Sequence, residues 1–216
     1  MGNIEGLIEE LSSRAALAKP MPGPSAVMVR AGGILFIYAV AALLFLGSRP
    51  DMQVQLARPL FAAEVLLLLV IALSSLRAAL YLSYPDHYQK SYVGLWPCLA
   101  GVAFVLLLAV QMFLPVDARM VLPVGTGVHG MECTLCIASV AAIPSALLFM
   151  LIRKGASTHP FKAGCFVTLT AASIGCLTLR LAEVNDSLVH LVQWHYLPTL
   201  LFAALGAWLG KYLLAW

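Results

Sequence analysis

The sequence predicts an all-α, polytopic membrane protein with six transmembrane helices. Hydrophobic residues make up 62% of its 216 residues and charged residues only 11%, whereas a soluble domain is about 45–50% apolar and about 25% charged. This composition excludes a water-soluble globule and a nucleic-acid-binding domain. Crossing a bilayer takes about 20 apolar residues of helix. Six stretches come close to or exceed that length, at 31–47, 60–82, 95–115, 133–152, 163–181 and 196–216.

The segment that precedes the first stretch is predicted to be cytoplasmic, so the chain divides into 1–30 and a six-helix domain, 31–216. Its start is acidic and no apolar run begins before Ala31, which excludes a cleavable signal peptide. Apolar residues recur at helical spacing and form one stripe, and prolines near residue 20 then predict a linker. Arg14 follows Glu10 one helical turn later. The predicted partner-binding residues are Ile4, Leu7, Ile8, Leu11 and Arg14.

A helix of this length is marginal alone in water, so the apolar stripe needs a surface. Three surfaces could cover it: the membrane, the cytoplasmic loops of the same chain, or a soluble partner onto which the helix folds. The acidic residues beside the stripe disfavour the negatively charged inner leaflet.

Lysine and arginine divide unevenly between the two sides of this topology. Four of them, Arg49, Arg58, Arg119 and Arg180, fall on one side, and the other nine of the 13 fall on the opposite side. Positive residues accumulate on the cytoplasmic side of a membrane protein. The sequence therefore predicts that both termini are cytoplasmic, with loop 153–162 as the strongest signal.

The segment VHGMECTLC, residues 128–136, carries the densest chemistry of the chain. Cys133 and Cys136 share one helix face and could form a disulfide or bind one soft metal ion. His129 and Met131 add ligands suited to copper or zinc, so these four residues are the candidate metal ligands. The neighbouring outward segment contributes further polar residues, Glu183, Asp186, His190 and His195. The alternative is that the two cysteines are small apolar residues at a helix end.

Three more features complete the prediction. Glu64 is an acid inside an apolar stretch and is a candidate functional residue, although its place near the interface favours a plainer role. Gly206 and Gly210 form a G-x-x-x-G, which favours close packing within the chain or, alternatively, a homodimer face. His195 directly follows Trp194 and is expected in a hydrogen bond or at an interface rather than as a ligand. No G-x-S-x-G, H-E-x-x-H or P-loop motif is present, so no enzyme is predicted.

Taken in order, these features resemble the NrsF-type membrane anti-sigma factors over nearly the full length. The resemblance is carried by LIEELSS at 7–13 with its proline-rich linker and Arg30, SRPD at 48–51, Pro85, Trp96 and IRKGAST at 152–158. Its most specific part is the ending W-H…P…G-x-x-x-G-K-x-L-L-x-W, residues 194–216.

The resemblance implies a bacterial inner-membrane protein that holds an extracytoplasmic-function sigma factor inactive, without contacting nucleic acid itself. Heavy-metal or oxidative stress, sensed by two outward cysteines, would release the sigma factor. Cys133 matches the first cysteine, with Cys136 close by. The second falls near 181–184, where this chain has none and Cys176 is the nearest. Sensing through Cys133 with Cys136, through Cys133 with Cys176, or by another route therefore stays open.

Two further functions compete with this interpretation. A thiol–disulfide oxidoreductase of the inner membrane would use the C-x-x-C pair to pass electrons to a quinone, although such enzymes usually carry a second outward cysteine pair. A small transporter or accessory subunit would make the N-terminal helix and the thiols incidental. No cofactor is certain, and a soft metal ion at the outward thiols is the one candidate.

Overall fold

The computed structural model describes residues 4–16, 22–84, 92–114, 130–155 and 157–215, and within these ranges it contains helices and no strand. The elements are α1 (Ile4–Ala16), α2 (Pro24–Leu46), α3 (Met52–Leu56), α4 (Pro59–Leu82), α5 (Leu95–Phe113), α6 (Gly130–Ile152), α7 (Pro160–Ala182), α8 (Leu188–Leu191), a π-helical turn (Val192–Tyr196) and α9 (Leu197–Leu213). Six helical runs are long and apolar enough to cross a membrane: α2, α4, α5 with the turn before it, α6, α7 and the continuous run Leu188–Leu213. The all-α, six-span prediction is confirmed.

The first span begins at Pro24, earlier than the predicted start at Ala31. Gly23 is extended, with φ −58° and ψ 149°, and Pro24 occupies the first turn of the helix. Proline suits that position because its missing N–H would have no partner there and its φ is already helical. Residues 24–30, which the sequence analysis assigned to the linker, are therefore helical, and Arg30 lies within α2.

Helix α7 lies at the centre of the bundle and packs against α2, α4, α6 and α9. Small residues make this possible. A Cβ atom added to Gly164 of α7 would lie only 2.7 Å from Cα of Gly210 in α9, and one added to Gly206 would overlap the side chain of Thr168. The G-x-x-x-G motif is therefore used for packing within the chain, as predicted, and the homodimer prediction no longer draws support from it.

The two ends of the bundle are named after one residue at each. At the Gly155 end, a Cβ atom added to Gly155 would lie 2.9 Å from Cβ of Ser83, and the hydroxyl of Tyr84 donates to the carbonyl of Pro22. At the Glu183 end, the N–H of Arg49 donates to the carbonyl of Leu181 across 3.1 Å. Because the spans alternate in direction, α2 begins and the last span finishes at the Gly155 end.

Helix α1 keeps its apolar stripe uncovered. The side chains of Ile4, Leu7, Ile8 and Leu11 are each 56–68% exposed, although residues of this kind are normally buried. The polar residues between them, Glu9 and Ser12 among them, are also exposed. Within the described part of the chain nothing buries the stripe, so its apolar surface stays available.

Candidate functional site

A π-helical turn shapes the site at the Glu183 end. Within it the N–H of Leu197 donates to the carbonyl of Val192, five residues earlier. Pro198 has no N–H to donate to the carbonyl of Trp194, so the regular ladder is interrupted there. The hydroxyl of Thr134 in α6 donates to that carbonyl instead, across 2.8 Å. Such turns are rare and occur frequently at functional sites.

The turn brings two histidines to one place. Residues five apart in a regular α-helix point about 140° away from each other, yet His190 and His195 both reach the carboxylate of Glu183. Nε2 of His190 lies 3.1 Å from Oε1 of Glu183, and Nε2 of His195 lies 2.9 Å from Oε2. The histidine rings meet edge to face, with their centroids 5.4 Å apart.

Cys133 completes this group, here called the Cys133 cluster: Cys133, Glu183, His190 and His195. Its Sγ lies 3.6 Å from Oε2 of Glu183 and 3.6 Å from Nε2 of His190. One potential ligand atom from each of the four side chains lies within 4.8 Å of all the others. Both histidines are buried, and Cys133 and Glu183 are half-buried. A thiol, a carboxylate and two imidazoles thus converge on one point.

The cluster favours an ionised carboxylate. Burial alone would raise the pKa of Glu183, but the close approach and charge of His195, and the charge of His190, outweigh burial and hold that pKa below its ordinary value. An ionised Glu183 supplies the cluster with a negatively charged carboxylate, which is the form that binds a metal ion. The cluster can therefore attract a cation.

A second polar group, here called the ion-pair cluster, lies beside the first: Arg49, Asp51, Glu64, Arg180 and Asp186. Asp186 accepts from both terminal nitrogens of Arg49, at 3.0 and 2.9 Å, and from Nη1 of Arg180 at 2.6 Å. Nε of Arg180 donates to Glu64 at 2.7 Å, and the paired guanidinium of Arg49 lowers the pKa of Asp51.

An aromatic ring and a phenol complete the ion-pair cluster. The ring of Phe61 contacts both guanidinium groups, with its centroid 5.3 Å from Arg49 and 4.6 Å from Arg180. Tyr196, from the π-helical turn, donates its hydroxyl to Glu64. Each charge in this buried group therefore has an opposite charge beside it, which such a location requires. The structure gives Glu64 the role of a partner for Arg180.

Comparison with known proteins supplies the context for these clusters. A family model described as "Negative regulator of sigma F" matches residues 11–216. The chain belongs to this family, NrsF. No curated protein and no solved structure matches it. The resemblance found in the sequence is confirmed, and a member of this family is a negative regulator of a sigma factor, which is a regulatory class rather than an enzyme class.

The matched range covers the six spans and both clusters. It begins at Leu11, so Ile4, Leu7 and Ile8 of the apolar stripe precede it, while Leu11 and Arg14 fall within it. The side chain of Arg14 lies outside the described residues. The family assignment therefore rests on the membrane bundle and not on the first turns of α1.

The structure distributes the predicted sensing and metal residues unevenly. Cys133 is in the cluster, but Cys136, one turn further along α6, is not. Cys176 is completely buried in the core, and Met131 is 65% exposed. His129 lies outside the described residues. None of the five cysteines forms a disulfide within the described chain.

The partners of Cys133 were visible in the sequence only as polar residues of a neighbouring segment. Glu183 falls within 181–184, the place where the family resemblance puts a second cysteine. A carboxylate thus stands where a thiol was expected, and it contacts Cys133. His195, expected in a hydrogen bond or at an interface, places its Nε2 2.9 Å from Oε2 of Glu183, within the Cys133 cluster. The residue that could have signalled this is Pro198, because it interrupts the helix beside His195.

Proposed function

We propose that this NrsF-family protein is a membrane-bound anti-sigma factor of a bacterial inner membrane that holds an extracytoplasmic-function sigma factor through α1. The observation that carries the proposal is the family match over residues 11–216. A stress signal, received at the Cys133 cluster on the opposite side of the membrane, releases the sigma factor. The Gly155 end is then cytoplasmic and the Glu183 end faces outward.

The distribution of unpaired positive charge supports this orientation. Arg153, Lys154 and Lys162 are exposed at the Gly155 end. At the Glu183 end, Arg49 and Arg180 are buried against carboxylates, so they add little to the positive charge of that surface. Positive charge in short loops marks the cytoplasmic side. Since α2 begins at the Gly155 end, α1 then reaches the cytoplasm, where sigma factors act.

The chemistry of α1 suits a sigma factor as its partner. An exposed stripe of four large apolar side chains is typical of a helix that docks into a hydrophobic groove. Glu5, Glu9 and Glu10 lie beside the stripe. Proteins that bind DNA carry basic surfaces, and these carboxylates would complement such a surface next to the groove. Docking would also supply the stability that a helix of 13 residues lacks alone.

The test is capture of sigma factors by the purified, detergent-solubilised full-length protein, comparing Leu11→Asp with Ser13→Asp. Both changes add one negative charge to an exposed position of α1, but Ser13 lies on the face opposite the stripe. Burying a leucine contributes about 1.5–3 kcal/mol, so Leu11→Asp should weaken capture by roughly tenfold or more. Ser13→Asp should capture like the wild type.

Two results would contradict the proposal. If Leu11→Asp, Ser13→Asp and the wild type capture equally well, the apolar stripe is not the binding surface. If the wild type captures no extracytoplasmic-function sigma factor, this chain does not have the anti-sigma function proposed for it.

A further inference from the structure

We propose that the Cys133 cluster is a four-ligand binding site for one divalent metal ion of borderline softness, for which Zn²⁺ is the best match. The metal ion would be the signal that the protein senses, and in that respect the inference rests on the proposed function. Binding of the metal itself involves only residues of this chain and can be measured without a sigma factor.

The spacing of the ligand atoms fits a tetrahedral ion. Zinc bonds of about 2.0–2.3 Å at tetrahedral angles place neighbouring ligand atoms roughly 3.3–3.6 Å apart. Both distances from Sγ of Cys133 are 3.6 Å. The two distances from Glu183 to the histidines, 3.1 and 2.9 Å, need to open by a few tenths of an ångström. These distances involve different carboxylate oxygens, so the half-buried side chain of Glu183 would turn as the ion binds, while ligand atoms up to 4.8 Å apart would draw together.

The kinds of donor atom select the metal. A thiolate with two imidazoles and one carboxylate is a typical zinc ligand set. Magnesium and calcium prefer oxygen atoms throughout, and Cu(I) prefers thiolates and thioethers. Cys136 and Met131 would be needed for a sulfur-rich site, but Cys136 lies outside the cluster and Met131 is 65% exposed. The sequence motif left copper and zinc as alternatives, and the set of donors favours Zn²⁺.

Charge and protons balance when the ion binds. The thiol of Cys133 loses its proton to solvent, because the thiolate is the form that coordinates metal. One thiolate and one carboxylate carry two negative charges, which neutralise the two positive charges of the ion. A neutral assembly is the favourable one in a half-buried location at the end of a membrane bundle.

An independent sign of a missing partner comes from the histidines. The side chain of His195 is completely buried; its Nε2 lies 2.9 Å from Oε2 of Glu183, but its Nδ1 has no hydrogen-bond partner within the described chain. Nδ1 of His190 also lacks a partner there. Buried polar atoms are nearly always paired, and an exception calls for an explanation such as an ion. Two neighbouring imidazole rings that each keep a buried nitrogen without a partner are such an exception.

The experiment uses the full-length protein in detergent, freed of metal with a chelator and titrated with Co²⁺ as a spectroscopic substitute for Zn²⁺. We expect one equivalent of Co²⁺ to give the strong visible bands of a four-coordinate ion, together with a thiolate-to-cobalt charge-transfer band. Added Zn²⁺ should remove both. Cys133→Ser should lose the charge-transfer band, and His195→Gln should weaken binding at least tenfold. Circular dichroism establishes that each variant keeps its helices.

Cys136→Ser is the matched control, because it removes a thiol one turn away from the cluster. It should bind Co²⁺ with unchanged bands and affinity. Loss of the charge-transfer band in Cys136→Ser would instead assign the site to the C-x-x-C pair and overturn the proposal. Absence of four-coordinate bands from the folded wild type would overturn it as well. A protein that binds Co²⁺ as described but captures no sigma factor would contradict only the proposed function.

Discussion

The two polar clusters at the Glu183 end lie side by side but differ in how completely their atoms are paired. In the ion-pair cluster, Asp186 holds two arginines and Glu64 holds Arg180 and Tyr196. In the Cys133 cluster, the buried Nδ1 atoms of His190 and His195 have no hydrogen-bond partner within the described residues. Paired buried charges hold helices together, whereas a buried polar atom without a partner is costly unless something binds it. The difference assigns structure to one cluster and ligand binding to the other.

One short connection joins the two clusters. Glu183 and Asp186 both lie between α7 and α8, and each contributes to a different cluster. If Glu183 moves to bind a metal ion, the connection that carries it would shift as well. That shift would change the position of Asp186 between Arg49 and Arg180. Such a segment can pass a change at Cys133 to α4 and α7. A ligand shifts this equilibrium only by its different affinity for the two states.

The largest expected effect comes from breaking the ion-pair cluster. Arg180→Met leaves Glu64 buried without its cation, and loss of one partner from a buried pair costs about 3–5 kcal/mol. The free energy of unfolding, measured by denaturant titration in detergent, should fall by that amount. Arg153→Met, at an exposed position, should change it by less than about 0.5 kcal/mol. If Arg180→Met is as stable as the wild type, the ion-pair cluster is not structural.

A smaller effect is expected when metal fills the Cys133 cluster. A ligand present at 100 times its dissociation constant stabilises the folded state by about 2.7 kcal/mol. Added Zn²⁺ should therefore raise the thermal midpoint of the wild type and of Cys136→Ser, but not that of Cys133→Ser. Without metal, Cys133→Ser should unfold close to the wild-type temperature, since serine is close to cysteine in size and the side chain is only half-buried. If zinc raises the thermal midpoint of Cys133→Ser as much as that of the wild type, the Cys133 cluster is not the metal site, and the two clusters do not differ in function.

Sequence reasoning succeeded where the structure depends on local patterns. Apolar length predicts the six spans, and the spacing of Gly206 and Gly210 favours close helix packing, which the structure places against α7. The stripe of α1 is likewise a local pattern; the predicted helix forms, and its stripe is not buried by the described part of the chain. The shift of the first span to Pro24 follows from the preference of proline for a first helical turn.

The composition of the Cys133 cluster could not be predicted in the same way. Cys133 and Cys136 are neighbours along one helix, so local spacing made them a pair, but only Cys133 joins the group whose ligand atoms lie within 4.8 Å of one another. The histidines come together only because a π-helical turn replaces a regular one. That turn depends on Pro198 together with a hydroxyl from another helix, Thr134, and such a contact between distant parts of the chain leaves no periodic signal.

The measurement that most directly tests the link between the Glu183 end and α1 is release of a captured sigma factor by Zn²⁺. The complex of full-length protein and sigma factor is immobilised in detergent, and the sigma factor released is measured with and without added zinc. We expect release from the wild type and from Cys136→Ser, and retention by His195→Gln. Full retention by a wild-type protein whose zinc site is shown to be filled would contradict the claim that the Cys133 cluster controls the hold of α1.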